Sequence, residues 1–307
     1  MPFHDRQKYR TSHECPVSLY LRAVRTLWLT LPLWMVAQDK PAYLFYTPKG
    51  KVISYSAVLK ILQKADVVLF GEVHNNPIDH WLQYELIQDL ARLKPDHLLV
   101  GMEMAETDQQ NIFLRYLKGE IPDIDKLSSE TSLWPNFRTD YAPVLELCRK
   151  NKIPFYATNA PKALVKAVSR QGASALEGLP AEMRRYIAPL PLARLDTLPS
   201  YKRLDSLAQA HGLNPEPFRL AQMLRDATMA YQIHQAWRPG TLFFHLNGHY
   251  HSDYHEGIAA YLRLYHPGLK IVVLTTEEVS DPTRYKPIRP EAADLFLVVP
   301  ETMTRTH

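Results

Sequence analysis

The chain has 307 residues, 46% of them hydrophobic and 22% charged, so it can bury the core of one large α/β domain or two smaller ones. Most of its net charge of +4 lies in the first 37 residues, and no basic run interleaved with aromatic side chains follows. This distribution argues against nucleic acid as a partner.

The N-terminus has the pattern of an export signal. Arg22 and Arg25 precede the apolar run TLWLTLPLWMVA, which is too short to span a bilayer comfortably. Cleavage after Ala37 makes residues 1–37 a leader and residues 38–307 the mature protein, although Met35 gives an imperfect cleavage site. An uncleaved anchor or a later true start is the alternative. No cysteine follows the apolar run, so no lipoprotein site is expected.

Cysteine usage excludes an intramolecular disulfide in the mature chain. Cys15 lies in the predicted leader, and Cys148 is then the single remaining cysteine. We expect Cys148 to face a core.

Six short apolar runs recur between helical patterns. They are DVVLF (66–70), HLLVG (97–101), IPFYA (153–157), TLFFHL (241–246), KIVVLT (270–275) and LFLVV (295–299). Such runs are typical of strands buried on both faces, which predicts a mainly parallel sheet flanked by helices. The alternating segment 42–55 contains PKG and predicts a small hairpin before this sheet.

Two helical regions are predicted between these strands. After the first strand, Asn76 can cap a helix with Pro77 in its first turn. The apolar stripe of that helix consists of Ile78, Trp81, Leu82, Leu86, Leu90 and Leu93. Residues 160–238 contain only helical patterns separated by Pro and Gly, which predicts an inserted all-helical subdomain.

Uncommon polar residues directly follow four of the predicted strands. They are Gly71, Glu72 and His74, then Glu103, then Thr158 and Asn159, and then Gly248, His249 and His251. In an open α/β sheet, ligands bind at the carboxyl edge of the strands. Residues two apart in an extended segment project the same way, so both Glu–His and His–His pairs are expected to converge on one cation or one planar ligand.

Several of these residues allow a purely structural interpretation as well. Glu103 can act as a ligand or a general base, or it can form an ion pair with Arg225. Arg225 can instead be solvated or pair with Asp226. Tyr250 and Tyr254 can be packed aromatics or ligands of ferric haem iron.

The motifs of several enzyme classes are missing. The chain contains no G-x-S-x-G, H-E-x-x-H, Walker, G-x-G-x-x-G or C-x-x-C-H sequence. The missing motifs therefore argue against covalently attached haem, a P-loop NTPase and an ordinary serine hydrolase.

The combination of five segments is more specific than its parts. They are LFGEVHNNPIDHWLQYELI, LLVGMEM with the following DQQ, IPFYATNAPKALVKAV, LRDATMA and FHLNGHYHSDYHEGI. Together they resemble the ChaN-like haem-binding family, which shares a superfamily with the Tiki peptidases, the TraB proteins and the erythromycin esterases. The superfamily's motif positions fall on Gly71–His74, Glu103, Arg225 and Gly248–His249, and the resemblance covers residues 42–275.

The resemblance implies a mainly parallel sheet with a small helical domain. It also implies an exported protein that binds haem at a dimer interface and acts in iron acquisition with an outer-membrane partner. Family members are often lipoproteins, but this chain lacks the lipobox cysteine. A periplasmic protein, or one held at the outer membrane by a partner, is therefore expected.

Two functional hypotheses follow from the residues and the resemblance together. In the first, the chain binds haem non-covalently, with His249, Tyr250, His251 or Tyr254 as the iron ligand and Arg or Lys at the propionates. In the second, it hydrolyses an ester or peptide bond. Glu72, His74, Glu103 and His249 would then hold a divalent metal or act as acid and base, and Arg225 would stabilise an oxyanion. A structural or partner-binding role is the third alternative.

Overall fold

The computed structural model describes residues 39–307, and residues 40–307 form one compact unit. The predicted leader, with its cleavage site and Cys15, lies outside the described residues. Within the described range, no helix combines the length and the apolar character needed to cross a membrane.

Eight strands form one mixed sheet, namely the six predicted from the apolar runs and the two of the predicted hairpin. The strands are β1 (Leu44–Tyr46), β2 (Val52–Ile53), β3 (Val67–Glu72), β4 (Leu98–Glu106), β5 (Phe155–Asn159), β6 (Leu242–Gly248), β7 (Ile271–Val279) and β8 (Leu295–Pro300). Their order is β2-β1-β8-β7-β3-β6-β4-β5. Strands β3 to β8 pair in parallel, whereas the β1–β2 hairpin lies antiparallel at one end. The mainly parallel α/β fold is therefore confirmed.

Helices connect these strands on both sides of the sheet. They are α1 (Tyr55–Leu62), α2 (Pro77–Leu93), α3 (Gln110–Leu117), α4 (Ile124–Glu130), α5 (Ala142–Asn151), α6 (Lys162–Gln171), α7 (Ser174–Glu177), α8 (Ala181–Arg184), α9 (Pro199–Ala210), α10 (Pro215–Ala236) and α11 (Ile258–Tyr265). Two short 3-10 turns follow β6, at His249–His251 and Asp253–His255.

The two faces of the sheet have separate apolar cores. Val68 and Phe70 of β3 face α1 to α5, whereas Val67 and Leu69 face α10 and α11. All six residues of β3 are buried. This double coverage explains why the central strands read as continuous apolar runs and not as alternating ones.

Between β5 and β6 the described structure contains five helices, α6 to α10, and no strand. Leu164 and Val168 of α6 and Leu220 and Leu224 of α10 enclose a small apolar cluster of their own. The 22-residue helix α10 also packs against β5, α9 and α11. It therefore joins the inserted helices to the sheet.

Helix α2 begins at the predicted cap and buries Leu82, Leu86 and Leu90 of the predicted stripe, but not all of that stripe. Asn76 Oδ1 accepts a hydrogen bond from the Ile78 amide at 3.0 Å, and Pro77 is the first helical residue. Trp81 and Leu93, predicted to belong to the apolar stripe, are about half exposed, whereas Asp79 and Gln83 are buried. The reason is that these polar side chains hold backbone and carboxylate groups at the end of β3.

Replacing Asn76 tests the beginning of α2. In Asn76→Ala the helix loses its cap, and Glu278 loses the hydrogen bond that Asn76 Nδ2 donates at 2.9 Å. We expect the free energy of unfolding to fall by about 1–3 kcal/mol. Urea denaturation measures this, and Asn76→Ser, which keeps a capping oxygen, should lose less. Equal losses in the two variants would contradict the capping role.

Candidate functional site

The candidate site lies at the carboxyl edge of three adjacent strands, β3, β6 and β4. Glu72 and Gly248 are the last residues of β3 and β6. The prediction that Glu103 follows a strand end is wrong, because β4 continues to Glu106. The strand continues because Met104 and Ala105 are themselves buried apolar residues.

The first half of the site is a buried glutamate that holds an accessible histidine. Glu72 Oε1 accepts hydrogen bonds from His74 Nδ1 at 2.9 Å and from the Tyr141 hydroxyl at 2.6 Å, and Gln83 donates to Oε2. Burial alone would raise the pKa of Glu72, but His74, His80 and Tyr141 outweigh it and lower that pKa. Because an ionised carboxylate only accepts, the Nδ1 of His74 carries the proton. The Nε2 of a neutral His74 therefore has a free lone pair.

The second half of the site is a buried histidine between two carboxylates. His251 Nε2 lies 3.1 Å from Glu103 Oε1, and His251 Nδ1 lies 2.5 Å from Asp226 Oδ1. The Gly248 amide donates to Glu103 Oε2 at 2.8 Å, and the Tyr201 hydroxyl donates to Asp226 Oδ2 at 2.7 Å. Both ring nitrogens of His251 are thus occupied by charged partners.

The three ionisable groups of this second half shift one another's pKa values. Burial by itself would lower the pKa of His251, but Glu103 and Asp226 raise it to about 10. Burial would raise the pKa of Glu103, yet the charge of His251 holds it well below its usual range. Burial dominates at Asp226 and raises its pKa. At neutral pH His251 is therefore an imidazolium.

Gly248 brings the two halves of the site together. A Cβ atom at this position would lie 2.7 Å from His74 Nε2 and 3.6 Å from Glu103 Oε2. A side chain would therefore displace His74. Gly71 plays a similar part, since a Cβ there would lie 2.9 Å from the Cα of His249. Both glycines therefore allow neighbouring protein groups to approach the backbone closely.

His249 lies apart from the two halves. Its Nδ1 contacts Asp253 Oδ2 at 3.1 Å, and Asp253 also binds Arg289 at 3.1 Å and the Thr275 hydroxyl at 2.6 Å. The expectation that His249 and His251 project the same way is wrong, because the chain forms a 3-10 turn there and not an extended segment.

The predicted metal set of Glu72, His74, Glu103 and His249 is not assembled. The part of the chain that the structure describes contains no group of three or more His, Cys, Asp or Glu side chains arranged to hold a metal ion. The geometry of these four residues therefore does not support the divalent-metal prediction.

Helix α10 contributes Asp226 to the site, one residue after the predicted Arg225. Glu103 finds its charge partner in His251 and not in Arg225, which is half-buried and acts electrostatically on Glu106. Sequence reasoning gave Asp226 no role of its own in the site. The available signal was that Asp226 lies among the buried apolar residues Leu224, Ala227 and Ala230, where an unpaired carboxylate would be costly.

A cleft of about 430 Å³ lies beside this network. Its wall includes Leu204, Leu207, Tyr250, Tyr254, Gln222, Arg203 and Arg289. The guanidinium of Arg203 lies 4.8 Å from the ring centre of Tyr254, and that of Arg289 lies 5.8 Å from it. Tyr250 is 75% exposed, and its ring centre lies 4.3 Å from that of His249. The cleft thus combines apolar, aromatic and cationic groups.

A protein-family model matches residues 58–262, which are more than half of the chain. The model is described as "Haem-binding uptake, Tiki superfamily, ChaN". The chain belongs to the ChaN family. Its fold is similar to that of ChaN of Campylobacter jejuni, whose solved structure is described as showing cofacial haem binding. The sequence identity is 19%, the TM-score is 0.64, and the match covers 84% of this chain and 96% of that one.

Two further proteins are similar to this chain. An erythromycin esterase, EreC, is 13% identical with a TM-score of 0.44 over 83% of both chains, too low to carry an argument. The chloroplastic protein RETICULATA-RELATED 5 of Arabidopsis thaliana is 27% identical over 192 residues, which are 58% of this chain. The match spans only 26% of that curated relative.

Replacing His251 tests the buried charge network. His251→Gln leaves Glu103 and Asp226 without their cation, so we expect a loss of about 3–5 kcal/mol at pH 7. Because the folded-state pKa is raised to about 10, this stabilisation is complete below the usual histidine pKa and is lost as the pH rises towards 10. The difference in unfolding free energy between wild type and variant should therefore shrink between pH 7 and pH 10.

The matched control is His255→Asn in the same loop. His255 makes one ion pair, with Asp294 at 3.5 Å, and asparagine tolerates its positive φ of 55°. The loss there should stay below about 1 kcal/mol. An equal loss in both variants, or one independent of pH for His251→Gln, would contradict the assigned charge state.

Proposed function

We propose that this chain binds haem non-covalently in the cleft beside the buried network. The observation that carries the proposal is the composition of that cleft. Apolar Leu204 and Leu207 and aromatic Tyr250 and Tyr254 suit a porphyrin face, and two arginines suit its propionates. The family description and the haem bound by the Campylobacter jejuni protein support the same conclusion.

Tyr250 is the proposed iron ligand among the four candidates. Both ring nitrogens of His251 face carboxylates, and the ring of Tyr254 is covered by Arg203 and Arg289. Tyr250 is the most exposed of the four and lines the cleft. A phenolate is an established ligand of ferric haem iron. His249 is the alternative, because its Nδ1 contacts Asp253 while its Nε2 remains available.

Arg203 is the better placed of the two arginines for a propionate. Its nearest acidic partner is Glu256, at 3.9 Å, and its side chain is about half exposed. Arg289 already bonds to Glu277 and Asp253, so its charge is largely neutralised. We expect the first propionate to bind Arg203.

The wider biological role belongs to the same proposal. The leader pattern and the family description support an exported protein of haem or iron uptake, periplasmic or held at the outer membrane by an uptake partner. A porphyrin against half-exposed Leu207 would keep one face uncovered. A second copy of the chain is the proposed cover, which makes the haem-loaded form a homodimer.

A hemin titration tests the proposal and the ligand together. The wild-type chain should show a saturable Soret change, and Tyr250→Phe should weaken binding at least about tenfold and change the spectrum, because the iron loses its phenolate. Tyr186→Phe, which alters a tyrosine outside the cleft, should bind as the wild type does. No saturable change in the wild type would refute haem binding. An unaltered Tyr250→Phe spectrum, with the change appearing in His249→Gln, would assign the ligand to His249.

The buried network favours hydrolysis of an ester or peptide bond as a second candidate function. His74 side-chain exposure is 38%, and its Nε2 lies over Gly248 close to Glu103. An imidazole whose Nδ1 donates to a buried carboxylate can accept a proton at Nε2 and return it. In this proposal His74 is the general base and Glu72 orients it.

Glu72→Gln separates this candidate from haem binding. The amide cannot stabilise a protonated His74, so any hydrolytic rate should fall by roughly 10²–10⁴-fold. Glu72 does not line the cleft, so the same variant should keep its hemin titration. The measurement is a screen of ester and peptide substrates with both proteins. A variant that retains the full rate would rule out the assigned role of Glu72.

A further inference from the structure

Two histidines lie together at the edge of the sheet opposite the cleft. His234 is in the last turn of α10, and His266 directly follows α11. These two helices pack against each other and lead into the amino ends of β6 and β7. Neither histidine lines the cleft or touches the buried network, so any function of the pair is independent of the proposed haem site.

The rings of the two histidines are close and are surrounded by aromatic side chains. Their ring centres lie 6.2 Å apart. Trp237 lies 5.1 Å from His266, and Tyr265 lies 5.8 Å from His234. The Nδ1 atoms of both histidines are shielded from solvent and have no hydrogen-bond partner among residues 39–307. Two unsatisfied nitrogens on neighbouring imidazole rings call for a physical explanation.

The chemistry and the position of the two histidines favour a bound cation. A neutral imidazole has one nitrogen lone pair. Both histidines also lie at helix C-termini, where the unpaired carbonyl groups carry partial negative charge.

We propose that His234 and His266 form a second ligand site, which binds a divalent transition-metal ion through the two Nδ1 atoms. Imidazole is a preferred ligand of Cu²⁺, Ni²⁺ and Zn²⁺. With metal–nitrogen distances of about 2.0–2.1 Å, two imidazoles on one ion have ring centres roughly 5–6.5 Å apart, which matches the observed spacing.

Such a site has two protein ligands. This composition agrees with the lack of any three-residue ligand group in the described part of the chain. It predicts reversible binding and exchange of the metal with small chelators. The ion would join the ends of α10 and α11.

Copper titration of the purified full chain tests the proposal. Cu²⁺ is added as its chloride, and the bound equivalents are counted by electron paramagnetic resonance, which also detects imidazole nitrogen on the ion. His234→Gln and His266→Gln should each lose the same equivalent, at a matched far-UV circular dichroism spectrum. His211→Gln, which alters an exposed histidine at the end of α9, is the control and should lose none.

The comparison between variants accounts for copper bound by the other histidines, since that background is common to all four proteins. Equal numbers of equivalents in the wild type and in both variants would overturn the proposal, as would an equal loss in His211→Gln.

A second measurement needs no variant. Zn²⁺ should protect His234 and His266, but not His211, from diethylpyrocarbonate in the wild-type chain, mapped by mass spectrometry. Equal modification with and without Zn²⁺ would also overturn it.

Discussion

The ionic contact of His251 with Glu103 and Asp226 is the interaction on which the candidate site depends. It joins three elements that are distant in sequence, namely β4, α10 and the turn after β6. Two buried carboxylates without this cation would be strongly destabilising. The same contact therefore holds the inserted helices against the sheet and fixes the loop that carries His249 and Tyr250.

The site has two chemically different parts on one sheet edge. The inner part is a network of buried charges that ends at the partly exposed His74. The outer part is the cleft with Tyr250, Arg203 and Arg289. They share the turn after β6, since His251 points inward while Tyr250 remains exposed. The two proposed functions, proton transfer and haem binding, can therefore be separated by substitution.

Much of the fold could be predicted because its signals are local. Each apolar run became a strand, since a strand covered on both faces needs apolar side chains at every position. The N-terminal cap of α2 at Asn76 was also predicted from the sequence. The predictions that were wrong concern features that depend on tertiary contacts. Asp79 and Gln83 on α2 are buried only because they serve the groups at the end of β3.

The sequence by itself determined the α/β class, the family and the sheet edge at which the polar residues collect, because strand periodicity and motif spacing are properties of the chain. Only the tertiary structure decided which of those residues meet. In the folded chain His251 and Asp226 belong to the buried charge network, whereas His249 and Arg225 do not. The reason is that a 3-10 turn and the orientation of α10 set the direction of each side chain. Neither the turn nor the orientation is encoded in residue spacing alone. Both follow from how the buried charges of three separate elements pair in the folded core.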